Sequence, residues 1–251
     1  MHRFYLPPAE CQGDTLFLAG REAHHARHVL RIGRGDPVMV LDGAGRELRC
    51  EVQDYDRDKV RLAVKDNRTH SAPTCPVTLL QALPKGRIIE GIIQKATELG
   101  VARIVPLLAE RVVTHLGDEE AERKAAKLQL VAVEAIKQCG AAWLPKVEAP
   151  VTPAQFLARR ASFELPLLAS LQPGSRPPRE YLRSFQEQHG RQPKSACIWI
   201  GPEGDFTPAE TEAIKAHGAF PVSLGRLVLR VETAAIYCLS ILHYELQSAA
   251  N

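Results

Sequence analysis

A strand, a glycine-containing loop and a helix start follow one another twice near the C-terminal end, and this repeat limits the fold more than any other feature. The first apolar run, residues 196–200, leads into Gly-Pro-Glu-Gly at residues 201–204. The second, residues 220–224, leads into a segment that contains Gly225. Between them, a threonine N-cap, a following proline and a glutamate three residues after the threonine predict a helix over residues 207–217. This repeat is typical of an α/β protein that binds a ligand at the carboxyl ends of its parallel strands.

Strand and helix patterns alternate from residue 77 to the C-terminal end, which predicts a mostly parallel sheet. Residues 86–99 carry one apolar stripe and are followed by Gly100, as expected for an amphipathic helix with a glycine C-cap. The last helix, residues 233–246, is apolar over most of its circumference, so we expect it to pack deeply or at a subunit contact. The other predicted strands are residues 77–80, 103–108 and 165–171, and the other predicted helices are residues 118–138 and 179–188.

The first 70 residues have a different pattern, with several short strands and one helix, which predicts a small β-barrel. The helix is predicted over residues 21–30. Residues 65–76 are predicted to be a linker because they contain several prolines and turn-forming residues. The predicted strands are residues 2–6, 15–18, 38–41, 47–55 and 59–64.

The sequence Asp42-Gly43-Ala44-Gly45 follows an apolar strand and permits two interpretations. A strand, an acid and Gly-x-Gly resemble the nucleotide loop of Rossmann methyltransferases, but that loop opens a helix. The residues that follow alternate polar and apolar side chains, as a strand does. The pattern therefore favours a hairpin turn.

A row of cations along the predicted helix at residues 21–30 is a candidate surface for RNA. Such a row beside a small barrel suits a phosphate backbone, whereas a solvated charged face is the alternative. The histidines in it have no nearby carboxylate or cysteine to complete a zinc site. The candidates for RNA contact are His24, Arg27, His28 and Arg31 on one helical face, Arg34 just beyond it, and Arg3.

Composition and charge exclude some classes of function. The formal charge of +3 permits an RNA partner without requiring one, and no apolar stretch is long enough to span a bilayer. The N-terminal residues lack an apolar signal core, so we expect a cytoplasmic location. Six scattered cysteines, with no Cys-x-x-Cys pair, predict free thiols rather than a metal cluster or a disulfide framework, and no metal is expected.

The two glycine loops lack the common phosphate-binding patterns. Neither Gly-x-x-x-x-Gly-Lys-[Ser/Thr] nor a Gly-x-Gly-x-x-Gly after a strand is present, which argues against ATP hydrolysis and an ordinary NAD domain. Main chain at Gly201 and Gly204 can approach a ligand closely, and the helix start at residues 232–234, with Arg230 before it, can hold an anionic group. A structural turn, with Arg230 paired to a nearby glutamate, is the alternative.

The order of these motifs resembles the RsmE family of SPOUT RNA methyltransferases. Gly-Pro-Glu-Gly at residues 201–204 and Leu-Gly-x-x-Val-Leu-Arg-x-Glu-Thr-Ala at residues 224–234 are similar to the family's C-terminal motifs. Residues 25–36, 94–101 and 106–111 are similar to its N-terminal and central signatures. The resemblance covers nearly the whole chain and depends on the joint order of the motifs.

The resemblance implies a PUA-like, RNA-binding β-barrel at residues 1–70 and a SPOUT domain at residues 75–251 with a C-terminal trefoil knot. It implies a homodimer with the last helix at the contact, S-adenosylmethionine as the cofactor, and N3 of a uridine in the 16S rRNA of the small ribosomal subunit as the acceptor. The cofactor-binding residues that it implies are Leu171, Ile200, Gly201, Pro202, Gly204, Leu224, Gly225, Leu229, Glu232, Thr233 and Ala234.

Three residues are candidates for the chemistry of methyl transfer. We assign Arg230 to orienting the substrate or stabilising the uracil anion, since a guanidinium stays protonated and is a poor base. Glu203 is a candidate proton acceptor, with a role in orienting Arg230 or capping a loop as the alternative. Arg111, at the end of a predicted strand, is a second candidate on the substrate side.

One segment departs from the family pattern. Ala141-Ala142-Trp143-Leu144-Pro145 stands where the family usually carries a basic pair, so the charge for RNA must come from elsewhere, or Trp143 stacks on a base. Two other functions stay open at this point: a SPOUT methyltransferase with a different RNA acceptor, and an RNA-binding ribosome-assembly factor whose cofactor pocket has decayed.

Overall fold

The structure is a computed structural model, which describes residues 1–56, 58–111 and 116–247. The chain forms two compact units. The first contains Met1–Ala72 together with Val133–Leu144, and the second contains Pro73–Ala132 and the chain from Pro145 onward. Residues 133–144 thus belong with the N-terminal unit, which no pattern in the sequence indicates.

The first unit is built on a five-stranded sheet with the order β1-β3-β4-β5-β2. β1 and β3 are parallel, and the other neighbouring pairs are antiparallel. Phe4, Leu16 and Leu62 are fully buried in its core, so the predicted β-rich unit is confirmed. The strands are β1 (His2–Tyr5), β2 (Thr15–Leu18), β3 (Pro37–Leu41), β4 (Arg46–Asp56) and β5 (Lys59–Thr69).

The turn between β3 and β4 confirms the hairpin interpretation. The two strands pair in antiparallel register on either side of it, with Leu41 opposite Glu47. The buried carboxylate of Asp42 accepts hydrogen bonds from the main-chain N–H groups of Ala44 at 2.7 Å and Arg46 at 2.9 Å. The Gly-x-Gly of this segment therefore closes a turn and opens no helix.

The predicted helix at residues 21–30 is present, but its second half is π-helical. α1 (Gly20–His24) continues directly into a π-helical segment, His25–Val29. A π-helix has more residues per turn than an α-helix, so side chains do not keep the α-helical spacing. The prediction that His24, Arg27, His28 and Arg31 share one α-helical face is therefore wrong.

The second unit contains a six-stranded, wholly parallel sheet with the order β11-β9-β10-β6-β7-β8, which confirms the predicted α/β class. Its strands are β6 (Val77–Ala82), β7 (Arg103–Leu107), β8 (Lys146–Val147), β9 (Leu165–Ala169), β10 (Ala196–Ile200) and β11 (Phe220–Val222). The helices that accompany them are α2 (Ile88–Glu98), α3 (Asp118–Cys139), α4 (Pro153–Ala158), α5 (Pro178–His189), α6 (Pro208–Ala216) and α7 (Val231–Gln247).

Helices cover both faces of this sheet, which is why the central strand β10 is buried along its whole length. On one face, Trp199 of β10 meets Phe156 of α4 edge to face, with ring centroids 5.4 Å apart, and Ile214 of α6 belongs to the same core. On the other face, α7 packs against α2 and against β6 and β10.

Several element ends differ from the predictions. β5 runs to Thr69, so the predicted linker at residues 65–76 is wrong over residues 65–69. β8 and α4 lie in the stretch after Pro145 for which no element is predicted. β9 and β11 each end two residues earlier than predicted, and α7 begins two residues earlier, at Val231. The residues released from β9 and β11 form loops at one edge of the sheet.

Candidate active site

Three loops at the carboxyl ends of neighbouring strands line one cavity of about 440 Å³. They follow β9, β10 and β11, which are adjacent in the sheet, so the ends of these strands meet at one edge. Ile88 at the start of α2 and the first turn of α7 complete the lining. The volume falls in the usual range for a small-molecule site.

The loop after β10 is a tight turn that folds back on Gly201. A Cβ atom at Gly201 would lie 2.9 Å from Oδ1 of Asp205 and 3.2 Å from the main-chain nitrogen of Phe206, so a larger residue would require the turn to shift. Asp205 adopts φ 63°, and its N–H donates to the carbonyl of Pro202 at 2.9 Å. The turn thus fixes the main chain of residues 201–205, of which all except Gly204 line the cavity.

The loop after β11 is more open and carries apolar side chains. Gly225 adopts φ 116°, which favours glycine, and Leu227 and Val228 are 77% and 78% exposed. At the end of the loop, the N–H of Ala234 donates to the carbonyl of Arg230 at 2.8 Å and opens α7. Because the first N–H groups of a helix have no partner within it, this helix start favours an anionic group in the cavity.

Most residues predicted to bind a cofactor lie together in this cavity. Nine of the eleven line it, and the two that do not are Gly204, which lies beside the side chain of Arg111, and Thr233, which is exposed on α7. Ile88 is the lining residue that no local pattern indicates, because its place depends on β6 pairing with β10. The lining residues that sequence reasoning missed are Ile88, Ala169, Ser170, Asp205, Leu227, Val228 and Val231.

The three residues predicted to take part in the chemistry occupy different places. Arg230 and Glu203 line the cavity, whereas Arg111 does not. Oε1 of Glu203 accepts a hydrogen bond from the main-chain N–H of Lys85 at 3.1 Å. The guanidinium of Arg111 donates to the carbonyl of Gly204 and so supports the loop after β10 from outside the cavity.

The N-terminus of α6 links the ends of β7 and β10. The predicted capping box is confirmed, because Oγ1 of Thr207 accepts from the N–H of Glu210 at 3.3 Å while Oε2 of Glu210 accepts from the N–H of Thr207 at 2.9 Å. The other carboxylate oxygen of Glu210 accepts from the N–H of Glu110 at 2.9 Å. The residue before Arg111 is therefore held by the same helix start that follows the Gly201 turn.

The chain matches known RNA-modifying proteins along almost its whole length. A family described as the RNA methyltransferase domain matches residues 70–243, and one described as the RNA methyltransferase PUA domain matches residues 18–65. The ribosomal RNA small subunit methyltransferase E of Bacillus subtilis is 31% identical over 98% of this chain and 97% of its own length. The chain belongs to the RsmE family of RNA methyltransferases.

Solved structures that are similar to this chain include two with bound S-adenosylmethionine. A methyltransferase from Legionella pneumophila in complex with this cofactor has a TM-score of 0.86 at 31% identity, covering 96% of each chain. The ribosomal RNA small subunit methyltransferase E of Neisseria gonorrhoeae, also bound to S-adenosylmethionine, has a TM-score of 0.83 at 25% identity, covering 96% of each chain.

Residues 141–144, in the segment predicted to lack a basic pair, are built into the first unit. Their main chain pairs with the hairpin turn at residues 43–45 through N–H···O bonds of 3.0 and 2.9 Å. The indole N–H of Trp143 donates to the carbonyl of Ser71 at 3.0 Å, and the side chain is 38% exposed. Trp143 thus makes a hydrogen bond within the first unit, while part of its side chain stays exposed to solvent.

The residues predicted to contact RNA differ in their surroundings, because some contact other parts of the protein and others are exposed to solvent. The guanidinium of Arg3 donates to the carbonyls of Lys137 at 3.4 Å and Gln138 at 3.0 Å, so it caps the end of α3. Arg27 lies over the ring of Tyr55, with its guanidinium carbon 5.5 Å from the ring centroid. His24 and His28 are exposed with ring centroids 4.7 Å apart, Arg31 has φ 52° beyond the helix, and Arg34 is exposed.

The buried cysteines are poor candidates for nucleophiles. Burial raises the pKa of Cys197 in β10 and of Cys238 in α7 to about 12, so both thiols stay protonated at neutral pH. The part of the chain that the structure describes holds no group of three or more His, Cys, Asp and Glu side chains placed to bind a metal ion. It also contains no helix of the length and apolarity needed to cross a membrane.

Proposed function

We propose that the protein transfers a methyl group from S-adenosylmethionine to N3 of a uridine in the 16S rRNA of the small ribosomal subunit. The observation that carries this proposal is the cavity that the loops after β9, β10 and β11 line, in a chain that belongs to the RsmE family. Two similar proteins hold S-adenosylmethionine in their solved structures, and one of them is named as a ribosomal RNA methyltransferase.

The lining of the cavity suits the cofactor chemically. Leu171, Leu224 and Leu229 supply apolar surface for an adenine ring, and Glu232 supplies a negative charge for a sulfonium or ammonium group. The main chain of the loop after β10 and the N–H groups that open α7 provide donors for polar ends of the ligand. We therefore assign to cofactor binding the residues that the sequence predicts, with Gly204 acting through the shape of its loop and Thr233 through the first turn of α7.

Bound S-adenosylmethionine supplies a methyl group on a sulfonium, and the protein has to prepare the uracil ring for attack. The N3–H is weakly acidic, so the negative charge that develops on the ring must be stabilised as the proton leaves. Arg230 lines the cavity, so its guanidinium group orients the ring and stabilises this anion. Orientation of the two reactants contributes a large share of the rate enhancement.

Glu203 and Arg111 act on loops in this proposal. The carboxylate of Glu203 already accepts the N–H of Lys85, so we assign to it the alternative role of holding a loop. Arg111 binds the carbonyl of Gly204 and fixes the loop after β10 from outside. Neither residue is then required as the proton acceptor, and solvent takes the proton.

The first unit presents the RNA-binding surface in this proposal. His24, His28, Arg31 and Arg34 remain exposed, so we retain them as candidates for phosphate contacts. Arg3 caps α3, and Arg27 lies over Tyr55, so we expect both to act mainly by keeping this surface in shape. We also propose a homodimer through α7, a trefoil knot in the C-terminal part of the chain, and action in the cytoplasm, where ribosomal subunits are assembled.

The proposal is tested by mapping modified nucleosides in rRNA from cells with and without the protein. We expect 3-methyluridine in 16S rRNA to disappear without the protein and to return with the wild-type gene. Its persistence would refute the assigned reaction. A calorimetric titration of the purified protein with S-adenosylmethionine separates the alternatives, because a decayed pocket gives no heat, whereas an enzyme with another acceptor binds the cofactor and modifies a different nucleoside.

A further inference from the structure

The loop between β6 and α2, residues 83–87, lies beside the cavity without belonging to any motif of the active site. It begins at the buried Leu83, whose N–H donates to the carbonyl of Leu107 at 2.9 Å. It ends at Ile88, which lines the cavity. In between, the main-chain N–H of Lys85 donates to Oε1 of Glu203 at 3.1 Å. Hydrogen bonds therefore anchor the loop at its start and in its middle.

Two cations stand on this anchored loop. Lys85 and Arg87 are exposed, and among the described residues no carboxylate lies within ion-pair distance of either side chain. Gly86 between them adopts φ 71°, which turns the main chain sharply. Since the Lys85–Glu203 bond uses the main chain, the ammonium group of Lys85 stays available to a ligand.

Acids outnumber cations in the lining of the cavity. Three acids, Glu203, Asp205 and Glu232, line it together with one cation, Arg230. The exposed cations Lys85 and Arg87 stand outside the lining, next to Ile88. An acidic lining suits a cationic cofactor, whereas cations at the rim suit a polyanion that approaches from solvent.

We propose that Lys85 and Arg87 bind phosphates of the RNA strand that carries the target nucleotide and hold that strand over the cavity. The inference rests on the proposed function, because it assumes that RNA is the acceptor. Glu203 is then a positioning residue, because it holds the loop through the main chain of Lys85.

The test compares wild-type protein with the double variant Lys85→Ala/Arg87→Ala, using small ribosomal subunits from cells that lack the protein. Both alanines keep the main-chain N–H groups, so the bond to Glu203 remains. We expect the KM for the subunit to rise about tenfold, with kcat at saturation and the affinity for S-adenosylmethionine unchanged. The slope of log affinity against log salt should fall by about 1.5, since each lost phosphate contact contributes about 0.7–0.9.

Two controls define the result. The variant Arg183→Ala/Lys215→Ala removes the same charge from helical ion pairs on α5 and α6, and it should keep the wild-type KM and salt slope. Lys85→Arg/Arg87→Lys should restore both values, because it keeps the charges.

The outcomes separate this inference from the function on which it rests. Wild-type turnover with an unchanged KM and salt slope in the alanine variant overturns the inference and leaves the function intact. A loss of cofactor affinity in that variant also overturns it, because the two cations would then bind the carboxylate of the cofactor. A wild-type protein that neither binds S-adenosylmethionine nor methylates the subunit overturns both.

Discussion

Glycine residues of the hairpin turn decide whether residues 142–144 can pair with it. A Cβ atom at Gly45 would lie 2.6 Å from a ring carbon of Trp143, and one at Gly43 would lie 2.9 Å from Cβ of Leu144. The turn and residues 142–144 are about a hundred residues apart in the sequence, and the indole ring packs directly against the Asp-Gly-Ala-Gly turn. The sequence that resembles a nucleotide loop thus has a packing function.

Replacing Gly45 by alanine should destabilise the protein by about 3 kcal/mol, as the sum of backbone strain and steric overlap. Gly35 is a matched control, since its φ of 88° is close to the 98° of Gly45 but a Cβ there meets nothing within 4 Å. Gly35→Ala should cost about 1 kcal/mol from strain alone. Urea unfolding measures both free energies, and equal losses for the two variants would contradict the role of Trp143.

Arg230 and Glu203 line the same cavity but should respond differently to substitution. Arg230→Ala should lower kcat at least about a hundredfold, because a fixed cation that stabilises the developing anion is removed, while the affinity for S-adenosylmethionine is kept. Glu203→Gln should keep most of the activity, since the amide oxygen still accepts the N–H of Lys85. Single-turnover methylation and calorimetry measure these effects. Loss of activity in Glu203→Gln would instead identify Glu203 as the proton acceptor.

At the scale of elements, Glu148 comes directly after the short strand β8 and connects it to β7 and α4. Its two carboxylate oxygens accept hydrogen bonds from Arg103 of β7 and Arg159 at the end of α4, each at 2.6 Å. Burial by itself raises the pKa of Glu148, but these two guanidinium groups outweigh it, and the pKa lies below its ordinary value of 4.5.

The depressed pKa of Glu148 gives a pH dependence with a definite sign. The stabilisation is complete above the ordinary pKa near 4.5 and is lost as pH falls through the lower pKa of the folded state. Glu148→Gln should therefore cost about 1–3 kcal/mol at pH 7, and the difference from wild type should shrink below about pH 4.5. Unfolding curves at several pH values measure this. Glu187→Gln, in an exposed pair with Arg183, should change little at any pH.

At the scale of the whole molecule, α7 carries exposed aromatic side chains on one face. Tyr237 and Tyr244 are 48% and 72% exposed and lie seven residues apart, so they share one helical face with the half-buried Ile241. Large exposed aromatic side chains along one face are typical of a protein interface. The other face of the helix, including Leu239 and Leu242, is buried.

If α7 forms the dimer contact, charge on this face should separate the subunits. Tyr237→Glu/Tyr244→Glu should convert a dimer to a monomer, because a dimer would bury both carboxylates without partners. Phe17→Glu, at a 47% exposed aromatic residue of β2, should leave the dimer intact. Sedimentation equilibrium measures the mass, and an unchanged dimer in the α7 variant would exclude this face.

Local patterns in the sequence were sufficient for most elements. β2 and β10 match their predicted ends, and the capping box at Thr207 begins α6 as predicted. These features depend on side-chain alternation, apolar runs and capping residues, which act between neighbours a few residues apart. The π-helical segment at His25–Val29 and the added length of β5 escaped prediction, because they depend on packing and strand pairing within the first unit.

The sequence by itself determined the α/β class, the family through the order of its motifs, and most of the cavity lining, because those residues directly follow strands. Tertiary structure alone decided that Ile88 completes the cavity, that Glu203 holds Lys85, and that Arg3 caps α3. The physical reason is that these residues are far apart in the sequence, by 118 positions for Lys85 and Glu203 and by 135 for Arg3 and Gln138. Strand order and packing bring such residues together, and neither follows from the spacing of residues along the chain.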